Sequence, residues 1–144
     1  MRFWTVFYLC TALSSEVLPQ GPGPIKPPPT LQQRIEKLVF GGYSEGQGDK
    51  QMRRAGDSTA VALTRVLSDR ELSNDQIEDA IYILNTAFSD PNSIENLSDR
   101  EPATTLFVLR YLDLCTRDSG LKAKIADARR HITDVAAMPT RSGP

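Results

Sequence analysis

From Thr30 onward, every periodic segment of the chain carries its apolar residues at spacings of three and four, the repeat of a helix with one buried face. Leu31, Ile35, Leu38 and Val39 form the first such stripe, opened by the capping box Thr30-x-x-Gln33 and closed by Gly41-Gly42, which is expected to supply a left-handed stop. A short helical stretch through Met52 follows and breaks at Gly56-Asp57. Ala60, Leu63, Val66 and Leu67 then mark a helix over about 58–68. A second capping box, Ser73-x-x-Gln76, starts the stripe Ile77, Ala80, Ile81, Leu84, Ala87 and Phe88, which Asp90-Pro91 ends.

The next helix, from about Asp99 or Arg100 to Thr116 with Pro102 in its first turn, differs in kind. Leu106, Phe107, Val108, Leu109, Tyr111, Leu112 and Leu114 cover most of its circumference, and an all-round apolar helix is expected to be the central buried element. Ser119 is the expected cap of the last helix, whose stripe is Leu121, Ile125, Ala128, Ile132 and Val135.

Upstream of Thr30 the composition changes. Six of the ten prolines fall between Pro19 and Pro29, so residues 15–29 favour extended polyproline II and read as a linker. Pro24-Ile25-Lys26-Pro27 fits PxxP, a match that any proline-rich linker meets by chance. Residues 1–14 place Arg2 before the apolar run Phe3–Leu13 and the small-residue exit Ala12-Leu13-Ser14, the pattern of a secretory signal peptide. At 1.5 Å per residue that run reaches about 16 Å, half the ~30 Å hydrocarbon core, so it is too short to span. An N-terminal helix docked on the domain is the alternative. Leu9 before Cys10 does not fit the small-residue box of a lipoprotein. The expectation is an exported protein, periplasmic or extracellular, with no stable membrane insertion once the signal is removed.

The chain of 144 residues has room for one domain, over 30–138, and a polar tail over 139–144. Its net charge of -1 and isoelectric point near 5.8 give no global attraction to nucleic acid. Two cysteines and one histidine cannot build a four-ligand zinc cluster, and Cys115 without Cys10 cannot form an internal disulfide. No cofactor is expected.

Other motifs lack a required member. Asp69, Glu71, Ser73 and Asp75 alternate like a calcium loop, but Asn74 stands where glycine belongs and Ala80 where a bidentate Glu belongs. The loop Gly41–Lys50 has no Gly-Lys-Ser/Thr and no preceding strand, so it is not a phosphate loop. Cys115 and His131 are formally a nucleophile pair, yet each adjoins an apolar run, and structural roles are expected, with Cys115 in the core. Asn96-Leu97-Ser98 is a glycosylation sequon, relevant in a eukaryotic secreting cell.

Internal repetition organises the helices. Ile77, Ala80 and Leu84 match Ile125, Ala128 and Ile132 at an offset of 48, and Ala60, Leu63 and Val66 match Leu106, Leu109 and Leu112 at 46. These lengths lie at the upper edge of HEAT and armadillo repeats. The run Ala55-Gly56-Asp57-Ser58-Thr59-Ala60-Val61-Ala62-Leu63 resembles the opening of a HEAT unit's first helix, although the second unit has Arg100-Glu101-Pro102 at the place of Gly56-Asp57. The resemblance covers about residues 48–135. It implies an all-α fold, a short right-handed stack of helical hairpins forming an α-solenoid fragment, which binds other macromolecules and has no active site. An irregular helical bundle is the alternative architecture.

The functional expectation is a non-catalytic binding or scaffolding module that engages a protein partner through a groove, with homo-oligomerisation open to so short a stack. The candidate groove residues are Glu78, Tyr82 and Asn85 on one second helix and Lys122, Arg129 and Arg130 on the other, with Tyr43 as a loop anchor or a packing residue against the first helix. A small exported helical enzyme inhibitor or enzyme is the competing reading, and an envelope component tethered by the proline segment a third.

Overall fold

The computed structural model describes residues 26–41 and 49–139. Within them the chain forms α1 (Leu31–Phe40), α2 (Asp49–Ala55), α3 (Asp57–Leu67), α4 (Asn74–Ala87), α5 (Ala103–Cys115) and α6 (Ser119–Ala136), with two 3-10 turns at Pro91–Ser93 and Leu97–Arg100 between α4 and α5. No strand occurs among the described residues, so the fold is all-α. The signal peptide expected over 1–14, the linker up to Ile25, the Tyr43 loop and the tail beyond Pro139 lie outside the described residues. The linker's last residues, 26–29, are exposed and without regular structure.

Local chemistry sets the helix starts. Both capping boxes are formed: the Thr30 and Ser73 hydroxyls accept the N–H groups of Gln33 and Gln76, whose side-chain carbonyls accept the Thr30 and Ser73 N–H groups in return. α6 is capped one residue earlier than expected. The Asp118 carboxylate accepts the Leu121 N–H at 2.9 Å, because an aspartate at this position supplies a cap and a negative charge at the positive end of the helix. At the end of α1, Gly41 is right-handed at φ -107° and donates its N–H to Lys37 O at 2.9 Å, and Gly42, the other member of the expected stop, lies outside the described residues.

Among the described residues, positive φ occurs at Asp69, at +59°, and at Gly56, at +51°, between α2 and α3. A Cβ there would stand 2.4 Å from the Asp99 carbonyl oxygen and against Ile94, so this turn requires glycine both by conformation and by space.

α3 packs on α4 and α5 on α6, while α3 also lies on α5 and α4 on α6; α1 covers α3 and α4, and α2 covers α4. One apolar core runs through them, with Ile35, Leu63, Leu84, Leu109, Ile125 and Ile132 among its most buried members.

α5 is not buried all round. Thr105, Val108, Leu109 and Leu112 face the core, but Phe107, Tyr111 and Leu114 are 67%, 46% and 79% exposed. The reason is geometric: α5 is covered chiefly by α3 and α6, and two neighbours on one side cannot enclose a helix. Cys115, expected in the core, is exposed at the end of α5 for the same reason.

The α3–α5 contact is closed by a carboxylate. Asp57, the first residue of α3 and only 8% exposed, accepts the Thr105 N–H at 2.7 Å, the Thr105 hydroxyl at 2.8 Å and the Thr104 N–H at 3.1 Å. Pro102 gives α5 no side-chain cap of its own, so Asp57 caps α5 from another helix. Asp99 extends the same contact, accepting the Ser58 hydroxyl at 2.9 Å and the Asn96 side-chain amide at 3.2 Å.

Candidate functional site, a groove between two helices

α4 and α6 lie side by side but do not close completely. Each buries one stripe, and the polar edges beside the two stripes face one another across an open groove of about 610 Å³. Glu78, Tyr82 and Asn85 enter from α4 at positions i, i+4 and i+7, one face of a helix. Lys124, Asp127 and His131 enter from α6 at i, i+3 and i+7. Ile81 and Ala128 provide an apolar floor, and Thr86 and Ser89 line one end.

The charges of the groove are mixed. Lys124 Nζ forms a close ion pair with Glu78 Oε1 across it, both side chains being half exposed. Asp127 lies 3.6 Å from Arg130 on its own helix. Beside Glu78 on α4, Asp79 titrates above the ordinary carboxylate range, first through burial and then through repulsion from Asp75 and Glu78.

Two groups stand out on the α4 side of the groove. Tyr82 keeps 43% of its surface exposed, an amphipathic ring at the mouth of the groove. Asn85 is half-buried, and its side-chain oxygen is buried without a hydrogen-bond partner among the described residues. A buried carbonyl oxygen left unpaired is costly. The Ser89 hydroxyl, by contrast, is already committed to the Thr86 carbonyl at 2.9 Å.

The six residues singled out on the second helices do not form one wall. Glu78, Tyr82 and Asn85 meet in the groove. Lys122 turns to α5, donating to the Asp113 carbonyl at 2.9 Å and lying 3.5 Å from its carboxylate. Arg129 and Arg130 line a separate hollow of about 310 Å³ with Leu106 on the α5 side of α6. Tyr43 lies outside the described residues. Lys124, Asp127 and His131, which occupy the place expected for Lys122, Arg129 and Arg130, share the spacing of a helix edge, a signal that was present but not decisive between the two edges.

Cys115 and His131 are not brought together: the thiol is exposed at the end of α5, whereas the imidazole lines the groove. Among the described residues no three His, Cys, Asp or Glu side chains are grouped to hold a metal ion, and no helix is long and apolar enough to cross a membrane.

In comparisons with known proteins, the chain matches no family model, no curated protein and no solved structure.

Proposed function

We propose that this chain is an exported, non-catalytic binding or scaffolding module that holds a segment of a protein partner in the α4–α6 groove. The observation that carries the reading is the combination within that groove of an apolar floor, an exposed tyrosine and the unpaired, buried Asn85 oxygen. An apolar side chain of the partner rests on Ile81 and Ala128, a backbone or side-chain N–H reaches Asn85, and the Glu78–Lys124 pair and Asp127 fix the orientation by charge. A volume of this size is in the range of natural binding clefts, and a tyrosine at its mouth gains contact area at small entropic cost.

The same reading treats α3–α4 and α5–α6 as two stacked, HEAT-like units. Like helix on like helix, α3 on α5 and α4 on α6, is the packing expected of a helical-repeat stack, and the apolar offsets of 46 and 48 residues support it. In such stacks the second helices form the binding wall.

The test begins with capture of the partner from the exported fraction and proceeds to titration of that purified partner. Tyr82→Ala and Asn85→Ala are each expected to lower affinity by about tenfold or more, since a buried aromatic anchor and a satisfied polar atom dominate small interfaces. Joint reversal of Arg129 and Arg130 is expected to alter it far less. Undiminished binding by Tyr82→Ala and Asn85→Ala together, with the fold intact, overturns the groove as the interface.

A further inference from the structure

A second surface of the molecule carries its own pattern. Phe107, Tyr111 and Leu114 follow one another at i, i+4 and i+7 along the outer face of α5, so the ridge of this helix is apolar for two turns and uncovered. The two edges of the ridge differ in charge. On the α3 side, Asp69 stands at the rim of a hollow of about 320 Å³ that Phe107, Val108 and Tyr111 share with Thr64 and Leu67. Asp69 and Tyr111 line this hollow together, which sets the carboxylate on the α3 edge of the ridge beside residue 111. On the α6 side, Arg110 sits one turn beyond Leu106, which lines the hollow between α5 and α6. Among the described residues, neither Asp69 nor Arg110 is in an ion pair.

We propose that the α5 ridge docks on the same ridge of a second copy of this chain, with the two α5 helices parallel and in register about a two-fold axis running along them. Symmetry and charge select that arrangement. A two-fold axis parallel to the helix leaves every residue at its own height and exchanges the edges, so Arg110 of each copy faces the Tyr111 ring and the Asp69 carboxylate of the other. Phe107 then meets Phe107 and Leu114 meets Leu114 along the centre. An antiparallel two-fold instead sets like edge against like edge, bringing Arg110 toward Arg110 and leaving both Asp69 carboxylates unanswered. The ridge is one helix wide, so the contact is smaller than a standard interface and the dimer is weak, dissociating at roughly 10–100 µM. Because α5 and the α4–α6 groove use different sides of the second hairpin, the pair presents two grooves at once and gains avidity for a repeated partner.

Sedimentation equilibrium of the full chain across that concentration range tests the proposal directly. The wild-type mass is expected to rise from one to two copies, and Leu114→Glu, a change at an exposed position, to raise the dissociation constant at least about tenfold with an unchanged melting curve. Arg110→Glu weakens the pair, and Arg110→Glu combined with Asp69→Lys restores it. Register is read by oxidation in a Cys115→Ser background: Leu114→Cys is expected to form a disulfide between copies, because residue 114 faces its own counterpart. A mass that stays at one copy throughout, or a dimer that Leu114→Glu leaves intact, overturns the proposal. Efficient trapping only when Phe107→Cys and Leu114→Cys are mixed overturns the parallel arrangement and with it the charge argument.

Discussion

α3 meets α5 and α4 meets α6 along two seams, and the seams are built on opposite principles. Between α3 and α5, the charged group is buried and fully used: both Asp57 oxygens accept, and three donors of the second hairpin depend on them. Between α4 and α6, the paired side chains of Glu78 and Lys124 are half exposed, and the Asn85 oxygen has no hydrogen-bond partner among the described residues. The polar group in the first seam orders the fold; in the second, Glu78 and Lys124 keep about half of their side-chain surface in solvent. The α3–α5 contact is thus closed by hydrogen bonds, whereas the α4–α6 contact leaves an open groove.

The largest expected effect comes from breaking the closed seam. Asp57→Ala removes three hydrogen bonds and leaves the Thr104 and Thr105 N–H groups of a largely buried helix start unpaired, a loss of about 2–4 kcal/mol. For a domain of this size that is a fall in Tm of roughly 10–20 °C, readable by thermal denaturation. Asp57→Asn keeps an acceptor and is expected to lose clearly less. Equal losses for the two variants would show that the site tolerates no replacement of any kind and that the acceptor role is not the reason.

At the open seam the same kind of change is nearly silent in stability. Lys124→Ala removes the cross-groove ion pair, and because both partners are about half exposed the expected change is below about 1 kcal/mol. What changes is the charge that a partner meets. The contrast sharpens if Lys124→Ala alters partner affinity and its salt dependence with no shift in melting; a destabilisation as large as that of Asp57→Ala would make α4–α6 a second structural joint.

How much of this was readable in the sequence depends on the range of the interaction. The caps at Thr30 and Ser73 are set by residues three apart, and they form as the spacing implies. The role of Asp57 rests on partners 47 and 48 residues away, so local reading reaches the Gly56-Asp57 turn and not the cap that Asp57 gives α5. α5 misleads because an apolar circumference states only that no polar face is reserved for water, not how many neighbours arrive; Phe107 and Leu114 remain outside. α6 shows the limit most directly. Its stripe from Leu121 to Val135 has two polar edges, one with Lys122 and Arg129 and the other with Lys124, Asp127 and His131. Periodicity alone assigns neither edge to α4, and the groove takes the second.

The smallest effect expected lies just beside the open seam, at Asp79. Its carboxyl is raised above the ordinary 3.8 by burial, then by Asp75 one turn earlier and by its neighbour Glu78, so the folded chain binds this proton more tightly than the unfolded chain does. The sign is therefore unfavourable at neutral pH: the ionised Asp79 detracts from stability, and the handicap shrinks as pH falls through the folded value and is gone below the unfolded one. Asp79→Asn carries no such charge. It is expected to melt slightly above the wild type at pH 7, with the gap narrowing on acidification and closing below the ordinary carboxylate value. Glu78 is both a source of the repulsion and the partner of Lys124, which couples this effect to the groove. In a Glu78→Gln background the benefit of Asp79→Asn at pH 7 should fall, and a double-mutant cycle of melts at pH 7 and near pH 3 measures that coupling. A gap that stays constant across the titration would assign the effect to packing around residue 79, and the electrostatic link between α4 and the open seam would be broken.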